Sequence, residues 1–240
     1  MRKTAAALIV VGLSLALAVP ASAYKEKKGF EGGTIAGVVK FEGTPPAAKN
    51  VTVNKNQDVC GKKPIPEQSL VVGQGGGVRW AVARLVDVDS GKAWDLPKAE
   101  IDQNGCFFHP HVAIVQAKKA VQILNNDGIL HNFHTFPKQN KAANRAQPKF
   151  LKKMTLAASF FDKPEIVNVK CDVHAWMDGY IVVAAHPYYA VTGADGAFKL
   201  ANVPPGNYKL EVWHETLGTV TQAITVKAKE TASVSVSMKK

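Results

Sequence analysis

The sequence is short of helical periodicity, of sulfur and of acid. Across 240 residues almost no stretch repeats its apolar side chains at helical spacing, so strands have to supply the secondary structure. After the first 23 residues no run is long and apolar enough to cross a bilayer, for which about 20 residues are needed, and no membrane span is expected. Only three cysteines and four methionines are present. Acidic residues number 19 against 30 basic ones, and the stretch from Lys138 to Lys153 has no acid at all.

What is present begins with a leader. Arg2 and Lys3 precede an apolar run from Ala5 to Val19, then Pro20 and the small triplet Ala21-Ser22-Ala23, the pattern of a signal peptide cleaved before Tyr24. Residues 1–23 are set aside on that reading, and the mature chain is expected in the periplasm. No cysteine lies near the cleavage point, so a lipoprotein-type lipid anchor is not indicated. The 217 residues that remain of the 240 suffice for one large all-β domain or two small ones, each with its own core. Without Arg2 and Lys3 the formal charge falls from +11 to +9. That balance favours acidic protein partners or anionic surfaces, and equally suits a basic surface kept for solubility. Export argues against nucleic acid as a partner.

An odd number of cysteines in an oxidising compartment leaves one over after any pair has formed. Cys60-Gly61 and Asn104-Gly105-Cys106 place two of them beside turn residues, as a structural disulfide requires. Cys171 follows apolar strand sequence and is itself followed by His174 and Met177, so it is left unpaired. A free thiol in the periplasm is protected either by burial or by a metal.

Alternating β-branched runs dominate: Thr34 to Phe41, Val78 to Val88, Val112 to Leu124, Phe160 to Val169, Tyr180 to Ala184, Tyr208 to Trp213 and Gln222 to Val226. Pro164 interrupts one of them, so that strand is expected to begin at Glu165. Between the runs stand turn signals such as Asn126-Asp127-Gly128 and Pro204-Pro205-Gly206-Asn207. Short strands with frequent Gly and Pro turns predict sandwiches or barrels. The basic stretch Lys138–Lys153 reads as a long loop with one helical turn around Ala142 to Ala146, a solvated face or a docking surface. Gly73 to Gly77 offers one domain boundary and His186-Pro187 another. The expected division is a leader at 1–23, an N-terminal β segment at 24–74, a first sandwich at 75–186 and a second at 187–240.

Two segments carry chemistry. One runs from Asn125 through Asp127, His131, Asn132 and His134, and the other is Cys171-Asp172-Val173-His174-Ala175-Trp176-Met177. Together they offer a thiolate, several imidazoles and a thioether, a set that selects copper among first-row metals. A Cys, a His three residues on and a Met three after that converge only if a tight loop folds around one point, with a further ligand from a strand about forty residues upstream closing the site.

In these residues the sequence resembles the cupredoxins, and the amicyanin-like ones most closely. The likeness spans Phe107 to Val183, through His131-Asn132-Phe133-His134-Thr135-Phe136 and the loop Cys171 to Tyr180. The resemblance implies a Greek-key β-sandwich with one type 1 copper ion, held by His131, Cys171 and His174 in the equatorial plane and by Met177 axially. It also implies that Asn132 tethers the ligand loop by hydrogen bonding. Asp172, Val173, Ala175 and Trp176 depart from the family's loop, and Asp172 puts an acid beside the thiolate. Downstream, Thr192-Gly193-Ala194-Asp195-Gly196-Ala197-Phe198 and Val203-Pro204-Pro205-Gly206-Asn207-Tyr208 resemble the carboxypeptidase regulatory-like family, which implies a small transthyretin-like β-sandwich without catalysis. Ile35 to Phe41 looks like the first strand of that same module, which would make the copper domain an insertion.

The remaining histidines have plainer expectations. His134 is three residues from His131 in a strand and points to the other face. His109 and His111 flank Pro110 with a spacing that puts both on one face, where they could chelate an adventitious metal. His214 is a strand residue that could reach across a domain interface, and Trp176 either packs beneath the loop or shapes an apolar patch. The expected function is an electron carrier rather than an enzyme, serving redox partners such as a periplasmic dehydrogenase or cytochrome. The alternative is copper storage or delivery. A hydrolase with Cys171 as nucleophile lacks an orienting third group, and a zinc site from His131, His134, Cys171 and His174 needs both faces of one strand.

Overall fold

The structure, a computed structural model, describes residues 24–240; the signal-peptide expectation falls on residues 1–23, outside the described residues. The chain opens with strands β1 (Lys25–Glu26), β2 (Gly33–Phe41), β3 (Val82–Val86) and β4 (Ser90–Gly91), with a turn of α-helix, α1 (Gln57–Cys60), and a 3-10 turn (Gln74–Gly76) between β2 and β3. Next come β5 (Glu100–Gln103), β6 (Phe108–His109), β7 (Val112–Gln116), β8 (Val121–Asn125) and β9 (His131–Phe136). These lead into β10 (Asn144–Gln147), β11 (Lys153–Leu156), β12 (Glu165–Lys170) and β13 (Asp178–Ala184). The chain closes with β14 (Tyr189–Val191), β15 (Ala197–Val203), β16 (Gly206–His214), β17 (Gly218–Val226) and β18 (Thr231–Met238).

The fold is all-β and forms two sandwiches. The sheet β10-β9-β12-β13-β7 and the sheet β11-β8-β5-β6 make the first, and the sheets β14-β3-β16-β17 and β15-β2-β18 make the second. Strands β5 to β13 thus run without interruption between β3 and β14, both of which belong to the other sandwich. Side-chain alternation explains why each strand takes its place: in β18 the serines face out while Val236 and Met238 are buried, and in β16 Leu210 and Val212 point into the same core. Val82, Val112, Val182, Ala184 and Tyr189 fill the seam between the sandwiches.

Three expectations need correction. The first sandwich does not begin at residue 75, because Val82–Val86 pairs with β14 and β16 of the second. Its apolar pattern is the same in either sandwich, and only the choice of partner strand differs. Val112 to Leu124 is two strands, not one; Lys118 turns the chain with φ 62°, and β7 and β8 enter opposite sheets. The stretch Lys138–Lys153 has no helical turn, since Asn144–Gln147 pairs antiparallel with His131–His134 as an edge strand. Its entry is fixed by the Glu165 carboxylate, which accepts the backbone N–H groups of Lys138 and Asn140, each at 2.7 Å. Burial pushes that carboxyl up, and these N–H donors outweigh it and hold it below the usual range.

Candidate metal centre

Three of the expected ligands meet at one end of the first sandwich. His131 opens β9, and Cys171 to Met177 form the turn that joins β12 to its antiparallel partner β13. The Cys171 N–H donates to the Met177 carbonyl at 3.2 Å, and the Met177 N–H donates to the His174 carbonyl at 2.9 Å. Two such closures in seven residues curl the loop over the sheet end and carry Cys171 and His174 toward β9. Cys171 Sγ then lies 3.9 Å from His131 Nδ1 and 3.8 Å from His174 Nδ1, and the two Nδ1 atoms are 3.0 Å apart. His131 and His174 are fully buried, Cys171 is 2% exposed and Met177 1%. Met177 packs in the same core as the sulfur of Cys171.

The outward ring nitrogens decide what the inward ones can do. His131 Nε2 is 2.9 Å from a carboxylate oxygen of Asp127, and His174 Nε2 is 2.9 Å from Asn56 Oδ1. Both partners only accept, so each Nε2 carries the proton, and a neutral ring then presents a bare lone pair at Nδ1. Two lone pairs and a thiolate aimed at one another in a dry pocket repel unless a cation sits among them. Outer partners that fix the tautomer in this way are what ligand histidines require. A soft sulfur with two imidazoles and a thioether in the same loop fits copper.

A proton competes with a cation for these same donors. Burial pushes the Cys171 thiol up, but the imidazoles of His131 and His174 and the backbone N–H groups of Asn132 and His174 outweigh it and bring it down to about 6. At His131 burial favours the neutral ring, and the Asp127 carboxylate with the Cys171 sulfur overcomes it and raises the pKa.

Asn132 ties the loop to the strand. Its Oδ1 accepts the Asp172 N–H, its Nδ2 donates to the Asp172 carboxylate at 3.0 Å and to Asn144 Oδ1 at 2.7 Å, and its own N–H points at Cys171 Sγ at 3.4 Å. Asp172 therefore faces away from the sulfur and toward His134, whose Nδ1 lies 3.0 Å from it. With His134 turned outward, a zinc set of three histidines and Cys171 is one ligand short.

Other expected residues do not converge. His109 and His111 part company because β6 ends at His109 and β7 begins only at Val112. His109 is exposed on the Asn104 carbonyl, whereas His111 is buried against the Glu215 carboxylate, so they make no chelating pair. His214 is buried at the end of β16 and accepts the Thr216 N–H at 3.2 Å; burial holds its pKa down to about 4. Trp176 packs, with its ring N–H donating to the Cys106 carbonyl at 3.0 Å. Cys60 and Cys106 are bridged, and Cys171 is free and buried.

Two supports lie outside the expected ligand set. Asp127 belongs to an Asn-Asp-Gly turn, and its carboxylate also accepts the Gly105 and Cys106 N–H groups at 2.6 and 2.9 Å. Its place four residues before His131 was the available signal. Asn56 is 118 residues from His174 and gives no local sign.

Residues 175–239 match the family model of the carboxypeptidase regulatory-like domain. Among solved structures, the chain is similar to a purple cupredoxin from Nitrosopumilus maritimus at 18% identity and TM-score 0.29, covering 36% of this chain and 100% of that one. A Cu-containing nitrite reductase from Thermus scotoductus SA-01 matches at 21% identity and TM-score 0.31, over 39% of this chain and 24% of that one. A Cu(I) amicyanin variant matches at 18% identity and TM-score 0.32, over 42% and 98%. No curated protein matches. At these scores the argument for function rests on the site itself.

Proposed function

We propose that this chain is a periplasmic type 1 copper protein that carries single electrons between redox partners and has no turnover chemistry of its own. The observation that carries the reading is the convergence of two Nδ1 lone pairs on the Cys171 sulfur, with both Nε2–H groups already committed outward. Copper bound there supplies a centre that alternates between Cu(I) and Cu(II). The chain's own part is to hold the donors still. Asp127 and Asn56 fix the two rings, Asn132 fixes the loop, and the surrounding core keeps water out, so neither oxidation state calls for rearrangement. Met177, buried in the same core and on the same loop, would offer a thioether as a weak further donor.

Storage or delivery needs an exchangeable site, and burial of His131, Cys171 and His174 to 2% exposure or less speaks for a carrier. The positive charge and the acid-free stretch Lys138–Lys153 suit acidic redox partners such as a dehydrogenase or cytochrome. The test is to add Cu(II) to the metal-free mature chain. An intense thiolate-to-copper charge-transfer band, lost in Cys171→Ser, with reversible one-electron voltammetry, is the expected result. A colourless protein that gives up Cu(I) readily to a chelator would overturn the carrier reading in favour of delivery.

A further inference from the structure

The segment from Asn50 to Pro66 belongs to no sheet, yet it touches the candidate ligand His174. Its two ends are zipped together: Asn50 bridges to Pro66, the Val51 N–H donates to the Ile65 carbonyl at 2.9 Å, and the Glu67 N–H donates to the Lys49 carbonyl at 2.9 Å. Its middle is pinned twice, by the Cys60–Cys106 bridge and by Asn56 Oδ1 on His174 Nε2 at 2.9 Å. Cys60 and Ile65 are buried in the core that holds Cys171, with Val51, Val53 and Val59 packed against it. Asn56 sits at φ 48°, ψ 47°, a left-handed conformation that Asn accepts more readily than most residues, and its carbonyl takes the Val59 and Cys60 N–H groups at 3.0 and 2.8 Å.

The bridge also links the two ring supports. Cys106 donates its N–H to Asp127, which holds His131, while Cys60 anchors the turn that begins at Asn56, which holds His174. One covalent bond therefore joins the structures that aim both imidazoles.

We infer that Asn56 is a positioning residue of the metal centre, and that its strap is a fixed cover that closes the His174 edge to solvent and small reagents. A molecule that meets this end of the sandwich touches the strap rather than the ring. The copper consequences rest on the function proposed above, whereas the cover itself is testable without metal.

The test uses the whole mature chain with Asn56→Gly, which keeps the positive φ while removing the amide, and Asn56→Asp, which keeps an acceptor oxygen. In the metal-free protein, iodoacetamide reaches only Cys171, because the other two cysteines are bridged. Alkylation is expected to speed up on the order of tenfold in Asn56→Gly, the scale of one buried N–H left unpaired, and to stay near the parent rate in Asn56→Asp. Copper affinity is expected to fall by about 10- to 100-fold in Asn56→Gly and to recover in Asn56→Asp. A folded Asn56→Gly with parent alkylation rate and parent affinity overturns the inference. If no variant binds copper but Asn56→Gly still exposes Cys171, the cover stands and the blue-copper reading falls.

Discussion

The first sandwich buries polar side chains where the second buries hydrocarbon. Gln103, Asn125, His131, Asn132, Thr135, Gln147 and His174 are all within a few percent of full burial in the first, whereas the second is built on Ile35, Leu85, Leu210, Val212, Val236 and Met238. Burying a polar group costs stability unless it is bonded, and the first sandwich ties most of these groups into a connected network, with Gln103 Oε1 and Asn125 Oδ1 left without a partner. Gln103 Nε2 donates to Gln147 Oε1 at 2.6 Å, Gln147 Nε2 donates to the Leu151 carbonyl at 3.0 Å, and Asn125 Nδ2 donates to the Ile129 carbonyl at 2.8 Å. The network braces the turn from which His131 emerges. The second sandwich buries fewer polar side chains and bonds them singly to the backbone: Thr192 Oγ1 accepts the Ala81 N–H and donates to the Val78 carbonyl, and His214 accepts the Thr216 N–H.

Two buried histidines sharpen the contrast. His186, in the link to the second sandwich, donates Nε2–H to the Leu85 carbonyl at 3.0 Å and accepts the Tyr188 N–H at Nδ1. Burial lowers its pKa to about 4, whereas the carboxylate and sulfur around His131 raise that one despite burial. Burial acts in the same direction on both, and the signs differ because His131 faces a carboxylate and a sulfur whereas His186 has the Arg84 guanidinium nearby.

The comparison can be broken or sharpened by four measurements. Removing the bridge with Cys60→Ser and Cys106→Ser frees a loop of 46 residues and is expected to cost about 4 kcal/mol in denaturant melts, with copper affinity falling as well. Leu210→Ala in the second core should cost about 3 kcal/mol while the charge-transfer band of the copper form stays in place; a shifted band would mean that the sandwiches are not separable in this sense. Asp127→Ala should do the reverse, lowering copper affinity by about 10- to 100-fold with a smaller change in the unfolding midpoint. The smallest effect is on pH. With a folded pKa of about 4 against an unfolded value near 6.5, neutral His186 contributes stability that is complete above pH 6.5 and is lost as pH falls through 4. Melting temperatures between pH 7 and 4 should therefore fall less steeply in His186→Asn.

Legibility followed the range of the interaction. The all-β character and most strands could be read from period-two alternation, as in Gly33–Phe41 and Gly206–His214. The Cys171 to Met177 loop was legible because its closures lie within seven residues. Edge strand β10 was read as a loop because Asn144-Arg145-Ala146-Gln147 carries no apolar alternation, and its strand conformation comes from the backbone of β9. His111 looked like a partner for His109, and its actual partner, Glu215, stands 104 residues away.

By itself the sequence determined that the chain would pair strands, that Cys171 would be the odd thiol, and that one thiolate, imidazole and thioether would share a turn. Those outcomes depend on side-chain chemistry and on spacing between near neighbours. Tertiary structure alone decided that β3 would serve the second sandwich, that the Cys60–Cys106 bridge would carry Asn56 onto His174, and that Asp127 would hold His131. These depend on register and on acceptors brought from distant parts of the chain, where many partners are chemically equivalent until the backbone selects one.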